Sequence, residues 1–414
     1  MLAGKTIVLA VTGGIAAYKA AEITRLLVKE GAIVRVVMTR NAQEFITPLT
    51  LQTLSGNPVA TETFSLTQES EIGHIHLADS ADLIVIAPAS ADIIGKLAHG
   101  IADDLLTTVL LATRAPVLIA PAMNVHMYAH PAVQQNLRIL GNRGCYFVEP
   151  DEGFLACGYE GKGRLADPAD IVEEIRATLS PKDLAAEKII VTAGPNAEPL
   201  DPVRFITNRS TGKMGFAMAR VAWQRGAAVT LVSGPTTLLP PRGVQFCPVR
   251  TALEMYQTVF AHYDQATMVV SAAAVADYRP AQVAAQKIKK RDGKFVIEMA
   301  RNPDILAELG RQKGSRLLVG FATETEEVLE NAVRKLRSKN LDMIVANDVT
   351  QAGAGFAHDT NIVTLIDRTE RMETFPLMSK DDVAHTVYDR LLALRKAAAS
   401  DSHKNEIAPG ETIK

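Results

Sequence analysis

The sequence predicts an α/β protein of two Rossmann-like domains with mostly parallel sheets. Three observations predict it. A strand–glycine turn–helix–glycine–strand unit occurs twice, short apolar runs alternate with helical patterns, and one polar segment divides the chain. The first unit is "KTIVLAVTGGIAAYKAAEITRLLVKEGAIVRVVMT". Its run Ile7–Val11 is almost wholly apolar, as a strand buried on both faces is, and Gly31 stops the helix at the C′ position. Further strands read as "ADLIVIAPAS" and "APVLIAPAM". The plan restarts with "KIIVTAG" at Lys188 and continues through "FAMARVAWQRGAAVTLVSG", where Gly226 takes the part of Gly31. Between strand and helix this second copy carries a long insert, "PNAEPLDPVRFITNRST", a position where insertions carry function. The runs "TMVVSAAA", "RLLVGFA" and "LDMIVAND" complete the second sheet. The polar segment "LSPKDLAAEK" places the boundary between Leu179 and Lys188, so the domains are expected over 1–181 and 187–398. From about Ala397 the tail is polar and aperiodic and is expected to be disordered.

Bulk composition narrows the function classes. The 414 residues are 47% hydrophobic and 22% charged, an ordinary globular mixture, and suit two or three domains of roughly 150 residues each. A net charge of −2 offers no chain-wide attraction to nucleic acid or to an anionic membrane, so neither is expected as a partner. The 3 cysteines form no CxxC pair, which argues against a disulfide framework or zinc site and for a reducing, cytoplasmic setting. The amino-terminal apolar run is too short to span a membrane.

Chemistry gathers at strand ends. Gly13 and Gly14 end a strand and open a helix, where bare glycines let backbone N–H groups approach a phosphate. Ala16 and Ala17 follow Ile15, so the GxGxxG dinucleotide pattern is not met. Thr39 and Ser90 end two more strands, and ligands of open α/β sheets collect beyond the carboxyl ends of strands. In "PAMNVHMYAH", Met123, Asn124 and Met127 stand where the chain leaves the sheet; a capping Asn among core Met is the plainer reading. His126 and His130 are spaced i, i+4, but no third ligand is evident and no metal site is expected. His74 and His76 alternate just ahead of a strand, so only one can face a pocket. Cys157 sits among Gly153, Gly158, Gly161 and Gly163, the composition of a mobile flap in which a thiol is accessible, either as an acid or nucleophile or as an incidental small residue. In the second half, "NRSTGKMG" (208–215) is not a P-loop: Thr207 stands where the first Gly belongs, and Met214 follows Lys213 in place of Ser/Thr. Asn208 can equally cap the following helix. Small residues from Ser271 to Ala274 let a ligand approach the backbone, and the basic loop "QKIKKRDGKF" carries a hairpin signal at Asp292-Gly293.

The segments "TGGIAAYK", "GHIHL", "PASAD", "PAMNVHMY" and "ACGYEGKGR", in this order, resemble the flavin-dependent cysteine decarboxylases. With the second half included, nearly the whole chain resembles the bacterial bifunctional phosphopantothenoylcysteine decarboxylase/phosphopantothenate–cysteine ligases of coenzyme A synthesis. The resemblance implies an amino-terminal FMN domain and a carboxy-terminal nucleotide-binding ligase domain. It implies that Gly13, Gly14, Ile15, Thr39, Ser90 and Met123 cradle FMN. His74 would be the base for substrate oxidation, Asn124 and Met127 would position the substrate, and Cys157 would protonate the enethiolate left after CO₂ departs. An α-carboxylate has no electron sink of its own; oxidation of the neighbouring thiol to a thioaldehyde supplies one. Asp92 and Tyr128 stand where some relatives carry Asn and Trp.

For the second half the resemblance implies activation of the 4′-phosphopantothenate carboxylate by CTP with Mg²⁺, giving an acyl-cytidylate that the amine of cysteine attacks. Asn208 would act in that second step and Arg204 would bind an anion. Lys287 would offset phosphate charge. Ser271, Ala272, Ala273, Asp277, Pro303, Asp304, Ile305, Leu306, Phe321, Lys335 and Lys339 would contact CTP, with Lys335 and Lys339 one helical turn apart. Mg²⁺ would ride on the phosphates rather than in a protein cage. Homo-oligomers are implied too, trimeric through the decarboxylase domains and dimeric through the ligase domains. Three rival readings are a two-Rossmann NAD(P) oxidoreductase, which lacks its glycine pattern, a regulatory flavoprotein without activity, and a peptide C-terminal cysteine decarboxylase, against which the ligase-like half argues.

Overall fold

The computed structural model describes residues 2–63, 73–154, 158–290, 295–324, 327–348, 355 and 358–406. The chain divides into two compact units, Met1–Ser180 and Pro181–Lys414.

In the first unit the main strands are β1 (Thr6–Val11), β2 (Ile33–Met38), β3 (Val59–Ala60), β4 (Leu83–Ala89), β5 (Val117–Pro121) and β6 (Tyr146–Phe147). They form one parallel sheet in the order β3-β2-β1-β4-β5-β6. Along β1 the side chains alternate between two cores. Ile7, Leu9 and Val11 pack with α1 (Ala20–Lys29), α2 (Pro48–Ser55) and α8 (Pro168–Leu179). Val8 and Ala10 face α3 (Gly73–Ser80), α4 (Ala91–His99), α5 (Leu105–Ala112) and α7 (Pro131–Asn142). Burial on both faces explains the unbroken apolar run. The chain leaves β1 toward β2 on one side and returns to β4 on the other, so the crevice at the β1/β4 switch point faces Gly13, Gly14 and Ser90. A short helix, α6 (Val125–Ala129), and an antiparallel hairpin, β7 (Asp151–Phe154) with β8 (Glu160–Arg164), stand above those strand ends.

The second unit repeats the device. Strands β9 (Lys188–Ala193), β12 (Ala228–Ser233), β13 (Gln245–Pro248), β14 (Met268–Ser271), β17 (Leu317–Glu324) and β18 (Met343–Asp348) are parallel, in the order β13-β12-β9-β14-β17-β18. Antiparallel β20 (Val363–Asp367) and β21 (Met372–Thr374) extend the far edge. Helices α9 (Lys213–Gln224) and α13 (Lys380–Glu406) cover one face. On the other lie α10 (Ala252–Tyr263), α11 (Ile305–Arg311) and α12 (Val328–Ser338). Helix α9 lies so close to β9 that a Cβ on Gly215 would stand 2.5 Å from that of Ala193. Three small antiparallel pairs decorate the sheet: β10 (Ala197–Pro199) with β11 (Phe205–Thr207), β15 (Tyr278–Pro280) with β16 (Met299–Arg301), and β19 (Thr360–Asn361) with β22 (Met378–Ser379).

Two expectations change. Residues 73–80, read from their alternation as leading into a strand, form α3. The strand's apolar run begins later, at Leu83, and "GHIHLADS" buries only Leu77 and Ala78. The tail from Ala397 is not devoid of structure, because α13 continues through it to Glu406. Alanine-rich sequence extends a helix already nucleated by packing.

Candidate functional site

In the first unit, Thr12 locks the two strand ends that flank the crevice. Its Oγ1 donates to the Pro88 carbonyl at 2.7 Å and accepts from the Ser90 N–H at 2.9 Å. Beyond them opens a cavity of about 560 Å³. Gly13, Gly14, Ile15, Ser90, Met123, Asn124 and Met127 all line it, so seven residues named from scattered motifs meet at one surface. Thr39 lines an adjoining cavity of about 300 Å³ that shares Gly13, Ser90 and Met127. Its Oγ1 is buried with no hydrogen-bond partner among the described residues, an arrangement that costs about 1–3 kcal/mol unless a ligand or water supplies one. A Cβ built on Gly14 would meet nothing within 4 Å, and the backbone there is extended. The chain's own packing therefore does not require glycine at Gly14. A Gly14→Val variant is expected to melt normally yet bind flavin about 10- to 100-fold more weakly, measured by flavin fluorescence.

The opposite wall is the "PAMN" turn braced on the hairpin. The Met123 N–H donates to the Gly163 carbonyl at 3.0 Å. Asn124 caps α6, its Oδ1 accepting from the His126 N–H at 2.8 Å, and lines the cavity as well, so the capping and ligand readings coexist. Tyr128 Oη and Lys162 Nζ share the Glu149 carboxylate. That carboxylate raises the lysine's pKa, and burial together with Glu149 raises that of Tyr128. His126 meets the Tyr159 ring edge-on at 5.0 Å. Phe154 and Gly163 of the hairpin line the cavity. Cys157 lies outside the described residues, between Phe154 and Gly158 on the same hairpin connection. His74 is not among the cavity's lining residues; on α3 its Nδ1 is buried without a partner among the described residues. His130 Nδ1 caps α7.

In the second unit the long insert folds over the β9/β14 switch point. Asn208 is not a helix cap: Gly212 takes that position, and Asn208 Nδ2 donates to the Ala274 carbonyl at 2.7 Å. This ties the "NRSTGKMG" loop to the segment after Ser271. Ala272 and Ala273 hang from Thr192, through its carbonyl at 3.2 Å and its Oγ1 at 3.3 Å. Asn302 stitches the next segment down. Its N–H donates to the Asp277 carbonyl at 2.8 Å and its Nδ2 to the Ala276 carbonyl at 2.8 Å, while Arg279 donates to its Oδ1 at 3.0 Å. Pro303, Asp304, Ile305 and Leu306 are thereby set beside Asp277. Asp304 caps α11 and pairs with Lys339 at 2.9 Å, so two expected nucleotide contacts neutralise each other. Lys335 lies one turn earlier on α12.

Arg204 is anchored within its own chain. Its guanidinium grips Asp201, Nε at 3.0 Å and Nη2 at 2.6 Å, and donates to the Ile288 carbonyl at 2.8 Å. Its carboxylate partner among the described residues is Asp201, whose carboxyl it holds well below the usual range. Lys287 is exposed on the connection between β15 and β16, and the Asp292-Gly293 turn lies outside the described residues. Phe321 and Ala272 line a cavity of about 40 Å³ with the Ser210–Gly215 loop, Asn347 and Lys380. Sequence reasoning named neither Asn347 nor Lys380; both reach the site from far along the chain, with no local motif to mark them. It also missed Tyr18, Phe154 and Arg164 on the first cavity's wall.

Two family patterns divide the chain at the same place as the fold. Residues 1–180 match the flavoprotein family, and residues 184–394 match the DNA/pantothenate metabolism flavoprotein C-terminal domain. The coenzyme A biosynthesis bifunctional protein CoaBC of Bacillus subtilis is 50% identical over 97% of this chain and 100% of its own length. That of Escherichia coli K12 is 48% identical over 94% and 97%. A crystal structure of the C-terminal domain of a CoaBC protein is 43% identical, covering 52% of this chain and 98% of its own, with a TM-score of 0.45. Fold and site thus define a two-domain α/β flavoprotein enzyme. The chain belongs to the family of coenzyme A biosynthesis bifunctional proteins, which carry phosphopantothenoylcysteine decarboxylase and phosphopantothenate–cysteine ligase activities.

Proposed function

We propose that the chain first joins cysteine to 4′-phosphopantothenate at the expense of CTP and then decarboxylates the product to 4′-phosphopantetheine with FMN. The observation that carries the first-unit assignment is the single cavity walled by Gly14, Ser90, Asn124 and the stem of the Cys157 hairpin. The open cradle at Gly14 and the orphaned Thr39 hydroxyl suit a phosphate-bearing flavin. FMN, when bound, supplies a reversible two-electron acceptor beside the substrate's thiol. Asn124 and Met127 orient the substrate carboxylate, and Phe154 excludes water from above. Cys157 delivers a proton from Sγ to the enethiolate. His74 takes a proton at an imidazole nitrogen, reaching the cavity of a neighbouring subunit in a homo-oligomer. The exposed apolar residues Ile15, Tyr18 and Phe154 at the rim support such an assembly.

In the ligase unit, the substrate carboxylate attacks CTP, giving an acyl-cytidylate and releasing pyrophosphate; cysteine's amine then displaces CMP, and Mg²⁺ would offset the charge of the nucleotide's phosphates. Ser271, Ala272, Ala273, Asp277, the 303–306 segment and Phe321 hold the nucleotide. Lys287, Lys335 and Lys339 balance its charge, and Asn208 stabilises the acyl carbon during aminolysis. Arg204 acts through Asp201, holding the insert and the basic loop in register. No helix among the described residues is long and apolar enough to cross a membrane, and we place the enzyme in the cytoplasm. The assay supplies the full chain with 4′-phosphopantothenate, cysteine, CTP and Mg²⁺. CMP, pyrophosphate, CO₂ and 4′-phosphopantetheine are the expected products. Formation of CMP and pyrophosphate without CO₂ would refute the decarboxylase half.

A further inference from the structure

Two cavities of the second unit meet at a pair of lysines to which the reading above gives no task. The smaller runs from Ala272, just beyond β14, and Phe321 of β17 to Lys213 and Lys380. A larger one, of about 330 Å³, is lined by the same two lysines together with Arg220, Asp359 and Asp381. Lys380 is 6% exposed. Its Nζ donates to backbone carbonyls, that of His358 and, at 3.2 Å, that of Thr360. Lys213 Nζ meets Asp359 at 2.7 Å, and Arg220 meets Asp381. An ammonium group this deeply buried beside a second one is unfavourable unless an anion joins them. Burial and the charge of Lys213 together push the Lys380 amine down to about 8, with Asp359 opposing. Asp359 is 87% exposed at its side chain, so its pairing with Lys213 costs little to open.

We propose that Lys213 and Lys380 form a phosphate subsite of the ligase reaction, with Asp359 as the exchangeable counter-ion that an incoming phosphate group displaces. The inference rests on the ligase assignment above. That reaction presents two groups of the required chemistry, the nucleotide's departing pyrophosphate and the substrate's phosphomonoester. Either enters between the lysines. The two charge-assisted contacts select phosphorylated over unphosphorylated substrate.

The test uses the full chain and the variants Lys380→Gln, Lys213→Gln and Asp359→Asn. Calorimetric titration with inorganic pyrophosphate and inorganic phosphate is compared with KM for CTP, for 4′-phosphopantothenate and for cysteine. Each lysine variant should weaken one phosphate-bearing ligand by about 10- to 100-fold, with KM for cysteine unmoved. Asp359→Asn should tighten the same ligand. A rise in KM for CTP with loss of pyrophosphate binding assigns the subsite to the nucleotide; a rise in KM for 4′-phosphopantothenate alone assigns it to the phosphomonoester. Because the folded amine titrates near 8 rather than at its ordinary 10.5, phosphate affinity of the wild type should fall as pH rises through about 8. Lys213, being less buried, keeps the test open if Lys380→Gln fails to fold. Unchanged binding and unchanged KM values in both lysine variants would overturn the proposal while leaving the ligase assignment intact. A wild-type chain that makes no CMP would refute the assignment itself, and the subsite with it.

Discussion

Replacing Cys157 by serine should leave CO₂ release intact while 4′-phosphopantetheine formation falls by on the order of 10³-fold, the scale of losing a general acid. Loss of the carboxylate leaves an enethiolate whose electron density lies on the carbon one removed from the sulfur-bearing carbon. Product forms only when a proton arrives there and the two electrons withdrawn at the start, which the flavin would hold, return to the sulfur-bearing carbon. A serine hydroxyl is a far weaker acid than a thiol, so carbon dioxide should leave and the oxidised enethiol should accumulate. Quantifying CO₂ and thiol product separately, by gas release and mass spectrometry, checks this. Normal product formation would remove Cys157 from the chemistry, and loss of both products would make it a structural residue of the hairpin.

The second large effect is expected at Asn208. Its Nδ2 donates to the Ala274 carbonyl, and Asn208→Asp would set a carboxylate oxygen against that acceptor and add charge beside the reacting acyl group. Aminolysis should slow by about 10²- to 10³-fold, the range seen when a donor that stabilises developing negative charge is removed. Pyrophosphate release in a single turnover should persist, with the acyl-cytidylate trapped. Were Asn208 merely a tie between two loops, the loss would instead be about 1 kcal/mol of local stability and a raised KM for CTP, with no trapped intermediate.

How much of this was legible in the residues depended on range. Strands buried on both faces announce themselves as unbroken apolar runs, so Ile7–Val11 in β1 and "KIIVTA" in β9 mark the two parallel sheets, whereas the strand order that sets the switch points comes from the tertiary pairing. The first cavity was legible because its walls come from strand ends that carry their own motifs, at Gly13, Ser90 and Met123. Partners far off in sequence left no local signal: Arg204 reaches the Ile288 carbonyl, Lys339 pairs with Asp304, and Asn208 is tied to the Ala274 carbonyl rather than to a helix start. Alternation of His74 and His76 suggested a strand, but two residues of spacing also place side chains on opposing faces of a helix, and α3 is one. Lys380 carried no signal, because only the packing of α13 against α9 brings it to Lys213.

A flavin in the first unit is what makes carbon dioxide loss possible. The direct measurement is the absorption spectrum and acid-released cofactor of the purified full chain, followed by CO₂ release from 4′-phosphopantothenoylcysteine. A yellow protein that yields FMN, and whose CO₂ release vanishes on stripping and returns on reconstitution, is the predicted result. A colourless protein that takes up no added FMN, or one that releases CO₂ equally well without it, would contradict the account.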